Sequence, residues 1–159
     1  MGRAGETVEL LAAAKECADL LDFSAAKRGV TVTVEGSPAC VRAARRDVEE
    51  LIYNLCDNAI RYNKENGSVT VTVQGTPAGA RLCVRDTGIG IAEQHRERVF
   101  ERFYRVDKSR SKETGGTGLG LAIVKHIAAG IGAQLSLESQ VGVGTAITVQ
   151  FPPLENAAQ

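Results

Sequence analysis

The chain has 159 residues, of which 43% are hydrophobic, and its 19 Lys and Arg balance 19 Asp and Glu. This length and apolar content fit one domain with one core. Zero formal net charge provides no overall field that would attract nucleic acid or anionic lipid, so we expect neither partner. No apolar run reaches the roughly 18 residues needed to cross a bilayer, and the N-terminus lacks the apolar core of a signal peptide.

The four cysteines, Cys17, Cys40, Cys56 and Cys83, include no C-x-x-C pair. A domain of this size does not depend on disulfides, and a buried free cysteine behaves as a small apolar side chain. We therefore interpret the cysteines as reduced and expect a cytoplasmic location.

The predicted elements follow from apolar residues that recur at threes and fours in helices and alternate in strands. In chain order we predict a helix at 7–28, strands at 30–35 and 40–42, a helix at 46–62, strands at 68–74 and 80–86, a short helix at 92–99, a helix at 119–129, and strands at 133–139 and 145–151. Thr7 is the expected cap of the first helix and Gly29 its expected stop.

Short turns join the strands of 68–86 and of 133–151, which predicts two antiparallel hairpins. Residues 100–117 have no regular apolar period, and a loop of this length is usually functional or disordered. Three main helices and about five strands predict an α+β, two-layer sandwich. Its sheet should be mixed but mostly antiparallel, with the helices on one face.

The helix predicted at 46–62 carries a polar stripe opposite its apolar side. At about 100° per residue, an arc of roughly 60–80° holds Asp47, Glu50, Asn54, Asn58 and Arg61. A solvated helix face explains such a stripe, yet asparagine is a mediocre helix former and two on one stripe are unusual. Asparagine amide oxygens suit Mg²⁺ and an arginine suits phosphate, so both interpretations stay open.

A second motif begins where a predicted strand ends at Asp86, followed by Gly88 and Gly90. The letters GIGIA fit a dinucleotide-binding pattern, but the helix that follows is short and no apolar parallel strand comes after it. A glycine turn capped by aspartate is the structural alternative. A carboxylate at a strand end is also placed to accept a hydrogen bond from an amino group such as adenine N6.

A third motif, GGTGLGL, spans 115–121 directly before the last predicted helix. Glycines there let backbone N–H groups converge on an anion beside the positive end of the helix. Basic residues precede it at Arg102, Arg105, Lys108, Arg110 and Lys112. The motif lacks the G-K-[ST] of a Walker A loop. A flexible hinge is the alternative, but the cations favour a phosphate cradle with a mobile lid.

Together the motifs resemble those of a known family. NLCDNAIRY at 54–62, DTGIG at 86–90, FERFYR at 100–105 and GTGLGL at 116–121 occur in one order. Their order and spacing closely resemble the N, G1, F and G2 boxes of the catalytic and ATP-binding domain of bacterial two-component sensor histidine kinases. The resemblance covers 8–153, with 154–159 as a tail, and implies a Bergerat-type sandwich that binds ATP under a mobile lid.

The resemblance implies an adenine site around Asp86, whose carboxylate would accept from adenine N6. Tyr62 would flank the base, Thr145 would support it from below, and Gly88 and Gly90 would let it approach closely. Ile91 belongs to the same implied binding segment.

The resemblance also implies a phosphate site. Asn58 would bind Mg²⁺, Asn54 would lie beside the phosphates as a catalytic residue, and Arg61 would flank them. Arg105 would reach the γ-phosphate from the lid. The implied phosphate loop contains Gly116, Thr117, Gly118, Leu119 and Gly120.

Related ATPases such as gyrase and the Hsp90 chaperones place a glutamate general base at the position of Asn54. Asparagine cannot usefully accept a proton from water. The resemblance therefore implies that the chain binds Mg-ATP and keeps the γ-phosphoryl group for another acceptor, since such transfer mainly needs positioning and charge neutralisation.

The family's phosphoacceptor is a histidine on a dimerisation domain of two helices, which we do not find before residue 8. Neither His95 nor His126 has the family's H-E-[LF]-[KR] context. We expect a catalytic domain that acts on the separate dimerisation domain of its kinase, serves a response regulator indirectly, and does not autophosphorylate alone. The parent protein would be attached to a membrane while this domain lies in the cytoplasm.

Two other functions remain open. A free-standing serine kinase of the anti-sigma-factor type shares the implied fold, but such proteins tend to keep the glutamate at the position of Asn54. A degenerate module that only binds nucleotide is the second, although Asn58, Asp86 and GTGLGL argue against degeneration.

Overall fold

A computed structural model describes residues 6–101 and 120–154. In chain order its elements are β1 (Thr7–Glu9), α1 (Leu10–Leu20), α2 (Asp22–Lys27), β2 (Thr31–Gly36), β3 (Cys40–Arg42), α3 (Arg45–Arg61), β4 (Ser68–Thr76), β5 (Gly79–Asp86), a 3₁₀ turn (Glu93–His95), α4 (Gly120–Ile131), β6 (Gln134–Gln140) and β7 (Gly144–Gln150).

Five of the strands form one sheet in the order β2-β4-β5-β7-β6. Strands β2 and β4 run parallel, while the β4–β5, β5–β7 and β6–β7 pairs are antiparallel. The separate pair β1–β3 is also antiparallel. The mixed, mostly antiparallel sheet and both hairpins are as the sequence predicts.

The core lies between one face of the sheet and the helices. Alternate residues of β4, Val69, Val71 and Val73, are completely buried, whereas their neighbours Thr70 and Thr72 on the other face are only half-buried. Helix α3 packs on β4 and β5 and lies between α1 and α4. Because one face of each strand is apolar, the helices cover that face and leave the other to solvent.

The first predicted helix is wrong at its start. Residues 7–9 form β1, which pairs with Cys40–Arg42, so Thr7 is not a helix cap. Glu9 caps α1 instead, because its carboxylate accepts hydrogen bonds from the amides of Leu11 at 2.6 Å and Ala12 at 3.3 Å. The helix is also interrupted at Leu21, and α2 continues from Asp22.

The short helix predicted at 92–99 is also wrong. The chain forms only a 3₁₀ turn at Glu93–His95, followed by turns up to Phe100. Val99 is the one buried residue between 92 and 99. This segment therefore has no apolar face to stabilise a helix, which short helices need.

The helix predicted at 46–62 is confirmed as α3, and the one predicted at 119–129 is observed as α4 from Gly120 onward. Most of the long loop predicted at 100–117 lies outside the described residues. No helix within 6–101 and 120–154 is long and apolar enough to cross a membrane.

Candidate functional site

A row of three polar side chains crosses one end of the sheet. Asp86 of β5 is the cross-strand partner of Thr145 of β7, which in turn pairs with Ser139 of β6. Two residues further along each strand, the same face carries the apolar row Val84, Ile147 and Leu137. Since residues two apart share a face, the polar row lies on the core side, where the helices pack.

The carboxylate of Asp86 is held by two backbone amides. Its Oδ1 accepts from the N–H of Gly88 at 2.9 Å and of Thr145 at 3.2 Å. Burial raises the pKa of Asp86, and these two hydrogen bonds offset part of that shift. Among the described residues, both donors bind Oδ1, which leaves Oδ2 available to a further donor.

The two predicted glycines after Asp86 lie against backbone. A Cβ on Gly88 would be 2.4 Å from the carbonyl oxygen of Tyr62, at the C-terminal end of α3. Gly90 has φ +77°, and a Cβ there would be 2.2 Å from the carbonyl oxygen of Gln140. These contacts require glycine whether or not a ligand binds, so the close approach of a base stays a prediction.

Backbone hydrogen bonds tie the loop after Asp86 to both neighbours. The N–H of Ile89 donates to the carbonyl of Tyr62 at 3.2 Å, and the N–H of Gly142 donates to the carbonyl of Ile89 at 2.9 Å. The loop therefore connects the end of α3 with the turn between β6 and β7.

Two residues that the sequence interpretation missed also hold this loop. The Ser139 hydroxyl accepts from the N–H of Ile91 at 2.7 Å. The Arg96 guanidinium donates to the carbonyls of Ile91 and Ser139. Ser139 could have been identified from the sequence, because it is a polar residue at a position where the alternation of β6 calls for an apolar one. No local pattern marks Arg96.

Most of the polar stripe of α3 is half-buried. Asp47, Asn54, Asn58 and Arg61 are half-buried, and Glu50 is exposed. The Asn54 amide nitrogen donates to the carbonyl of Glu50 at 2.8 Å. Its Oδ1 therefore points elsewhere, and a Cβ on Gly120, the first residue of α4, would lie 3.4 Å from it.

Arg61 has a partner that the sequence interpretation did not name. Its Nε lies 2.8 Å from Oδ2 of Asp57, one turn earlier on α3, and the two side chains are 32% and 23% exposed. Both residues also line an open cavity between α2 and α3, together with Ser24, Lys27, Arg28 and Ile60.

The structure brings the carboxylate and the amide stripe to one region. Gly88 lies against Tyr62, whose N–H donates to the carbonyl of Asn58 one helical turn back at 3.2 Å. Gly120, at the start of α4, lies beside Asn54 of α3. Of the other predicted site residues, Arg105 and 116–119 lie outside the described part of the chain.

Metal-binding side chains are sparse in this region. No cluster of three or more His, Cys, Asp or Glu within the described ranges is placed to hold a metal ion. His95 is half-buried in the 3₁₀ turn and His126 is exposed on α4. All four cysteines are free.

The family of the chain follows from comparison with known families. Residues 43–156 match the family of histidine kinase-, DNA gyrase B- and HSP90-like ATPases. The chain belongs to this family, because the match covers well over half of it. This finding confirms the resemblance of the four sequence motifs.

Curated relatives give a narrower class within the family. The sensor histidine kinase YkoH of Bacillus subtilis is 41% identical over 146 residues, which cover 92% of this chain and 32% of that protein. The sensor-like histidine kinase SenX3 of Mycolicibacterium smegmatis is 50% identical over 101 residues, covering 64% and 26% respectively. The homologues are thus sensor histidine kinases, and the chain spans about a third or less of their length.

Solved structures agree with the fold. The mycobacterial sensor histidine kinase MprB has a TM-score of 0.79 at 27% identity, over 92% of this chain and 97% of that chain. Full-length ShkA in complex with AMPPNP has a TM-score of 0.81 at 26% identity, over 96% of this chain and 32% of that chain. The predicted α+β sandwich is therefore confirmed as the fold of histidine kinase catalytic domains.

Proposed function

We propose that this domain binds Mg-ATP and donates the γ-phosphoryl group to a histidine on the separate dimerisation domain of a two-component sensor kinase, which then serves a response regulator. The observation that carries the proposal is the half-buried Asp86 carboxylate, fixed through Oδ1 beside an α3 stripe of half-buried asparagines. A fixed hydrogen-bond acceptor suits the base of a nucleotide, and a stripe of amide side chains suits its phosphate end. The relative ShkA was solved with AMPPNP, which supports the same ligand class.

At the base end, Asp86 would accept the 6-amino group of adenine through Oδ2. Oδ1 is held by two amides, so the carboxylate is oriented before the ligand arrives. Such preorganisation lowers the ordering cost of binding. Tyr62 at the end of α3 and Ile91 in the loop after Asp86, both half-buried, would flank the base.

At the phosphate end, Asn58 would hold Mg²⁺ through its amide oxygen. Mg²⁺ commonly takes one or two protein oxygens and completes its shell with water and phosphates, so it needs no acidic cluster. The donor set around α3 fits that requirement. When bound, the ion would neutralise phosphate charge, together with Arg61 and, by resemblance, Arg105 and 116–120.

The chemistry of Asn54 supports transfer rather than hydrolysis. Its amide nitrogen is hydrogen-bonded to the carbonyl of Glu50, and its oxygen belongs to a neutral amide. Neither atom takes a proton from water at neutral pH, so Asn54 would position phosphate without activating water. The γ-phosphoryl group is thereby kept for a side-chain acceptor.

A phosphotransfer assay tests the proposed reaction. The domain and a purified dimerisation domain are incubated with radiolabelled Mg-ATP. We expect an acid-labile, base-stable phosphohistidine on the dimerisation domain and no label on the catalytic domain alone. An acid-stable phosphoserine would favour a serine kinase, and nucleotide binding without any label would favour a binding module; either result contradicts the proposal.

Nucleotide titration of variants tests the site. We expect Asp86→Asn to abolish binding of ATP and ADP together, because both ligands share the base. Asn58→Ala should weaken mainly the Mg²⁺-dependent part of the affinity. Unchanged affinity in both variants would overturn the site assignment.

A further inference from the structure

The Ser139 hydroxyl takes part in three hydrogen bonds at the base end of the candidate site. Its Oγ lies 2.7 Å from the N–H of Ile91, 3.0 Å from the carbonyl oxygen of Gly144 and 2.7 Å from the hydroxyl oxygen of Thr145. Ser139 is half-buried and Thr145 is buried. Because Ser139 and Thr145 are cross-strand partners, this contact is built into the register of β6 and β7.

The chemistry of these three partners fixes the direction of each hydrogen bond. An amide N–H can only donate and a carbonyl oxygen can only accept, while a hydroxyl has one proton and two lone pairs. Ser139 satisfies all three contacts only when its proton goes to Gly144 and its lone pairs accept from Ile91 and from Thr145. The Thr145 hydroxyl proton is therefore committed to Ser139.

The committed proton changes what Thr145 offers to a ligand. Its hydroxyl oxygen keeps lone pairs but no free proton, and its N–H is already donated to Asp86 Oδ1. Thr145 and Asp86 are neighbours across β5 and β7. Side by side, the hydroxyl oxygen and the ionised carboxylate present only acceptors.

We propose that Ser139 is a positioning residue that determines base specificity, because it orients the Thr145 hydroxyl so that the base end of the site accepts a 6-amino group and disfavours a 6-oxo group. This inference rests on the proposed nucleotide site. Adenine carries an amino donor at position 6, whereas hypoxanthine and guanine carry a carbonyl acceptor there. The discrimination requires both acceptors to face position 6, where they bind the amino protons of adenine and repel the carbonyl oxygen of hypoxanthine or guanine.

ATP and inosine triphosphate are a suitable pair of probes, because they share sugar and phosphates and differ at the 6-position and the adjacent N1 proton. The dissociation constants of both are measured by calorimetry for the wild type and for Ser139→Ala. Loss of the Ser139 hydroxyl frees the Thr145 proton, which can then be donated to a 6-oxo group. We expect the preference for ATP over inosine triphosphate to fall by about tenfold.

Three further variants separate this role from a merely structural one. Ser136→Ala, an exposed position on the same strand, should leave the preference unchanged. Ser139→Thr keeps the hydroxyl and should therefore keep most of the preference for ATP. In a Thr145→Val background, Ser139→Ala should have no further effect on the preference, because Ser139 acts through Thr145.

The outcomes are distinguishable from failure of the proposed function. If the wild type binds neither nucleotide, the nucleotide site itself is wrong and this inference falls with it. If the wild type prefers ATP but Ser139→Ala weakens both ligands equally, or changes neither, Ser139 has no role in specificity and only this inference is overturned.

Discussion

The two ends of the candidate site are built in different ways. At the carboxylate end, the bond from Gly88 to Asp86 is local, but two others join residues far apart in sequence: Thr145 to Asp86, 59 positions apart, and Ile91 to Ser139, 48 positions apart. Along the α3 stripe, the hydrogen bonds of Asn54 to Glu50 and of Arg61 to Asp57 each span four positions, which is one helical turn.

This difference separates a preformed end from one that a ligand must complete. Long-range hydrogen bonds that span three strands and a loop are fixed by the fold, so the carboxylate end exists before any ligand binds. Contacts within one turn leave the ends of side chains adjustable. We therefore expect substitutions at the carboxylate end to affect stability as well as binding, and substitutions on the stripe to affect binding with little loss of stability.

The largest effect on stability is expected for Gly144→Ala. A Cβ there would lie 2.0 Å from the carbonyl oxygen of Asp86, and the residue has φ +148°. The backbone of Gly144 and the carbonyl group of Asp86 belong to paired strands, so neither can move away without opening the β5–β7 pair. We expect a loss of about 3 kcal/mol or more in the free energy of unfolding, measured by urea denaturation.

Gly142→Ala in the same turn is the matched control. Gly142 also has a positive φ, +82°, but no atom lies within 4 Å of its Cβ position. Only the conformational cost applies, at about 1 kcal/mol. Equal losses in the two variants would mean that the contact with Asp86 has no special importance.

Arg96→Lys should have the next largest effect, because lysine keeps the charge but loses the guanidinium fork that reaches both Ile91 and Ser139. We expect a loss of about 1–2 kcal/mol in stability and faster hydrogen exchange at the amide of Ile91. Arg98→Lys is the control, since Arg98 pairs locally with Glu101 at an exposed position. Unchanged exchange at Ile91 in the Arg96 variant would contradict the assigned contact.

The raised pKa of Asp86 predicts a smaller, pH-dependent effect. Burial makes the folded chain bind this proton more tightly than the unfolded chain does, so the stability contributed by the protonated form is lost as the pH rises through the raised pKa. Asp86→Asn cannot titrate and keeps an acceptor oxygen for Gly88 and Thr145. Urea unfolding at steps between about pH 3.5 and 7.5 covers the relevant range.

We expect the stability of the wild type relative to Asp86→Asn to decrease with rising pH, so that the variant is at least as stable at neutral pH. All other titrating groups are common to both proteins and cancel in the difference. A relative stability that grows with pH would show that the carboxylate stabilises the fold, which the burial of Asp86 argues against.

The smallest effect is expected for Asp57→Ala, which removes the ion-pair partner of Arg61 on the stripe. The ion pair with Arg61 lies within one turn and is partly exposed, so it contributes little to folding. We expect a change below about 0.5 kcal/mol in the free energy of unfolding. A loss above about 1.5 kcal/mol would place the stripe in the same class as the carboxylate end and remove the contrast between them.

The sequence predicted well the elements that depend on local apolar periodicity. Helix α3 and both hairpins follow directly from such patterns. The start of the chain did not, because Thr7–Glu9 forms a strand only by pairing with Cys40–Arg42, a contact that no local pattern encodes. The helix expected at 92–99 failed for a related reason, since those residues bury almost no apolar side chain.

The residues of the candidate site also divide into those that local sequence patterns indicate and those that they do not. Asp86, Asn54 and Asn58 stand out as polar residues at element ends or on one helix stripe. Ser139 and Arg96 act through contacts 43 and 48 positions away in sequence, which appear only once β6 is placed beside the loop. Local patterns thus identify groups that would meet a ligand, while the groups that orient them depend on the tertiary fold.

The most direct test of the central claim, a single pocket with a preformed base end and an asparagine stripe beside it, is an NMR titration with Mg-ADP that follows each backbone amide. We expect shifts concentrated at Gly88, Ile91 and Thr145 at the base end and at Asn58 on the stripe. Shifts confined to another surface, such as the exposed Leu20 and Phe23 on α1 and α2, would contradict the account.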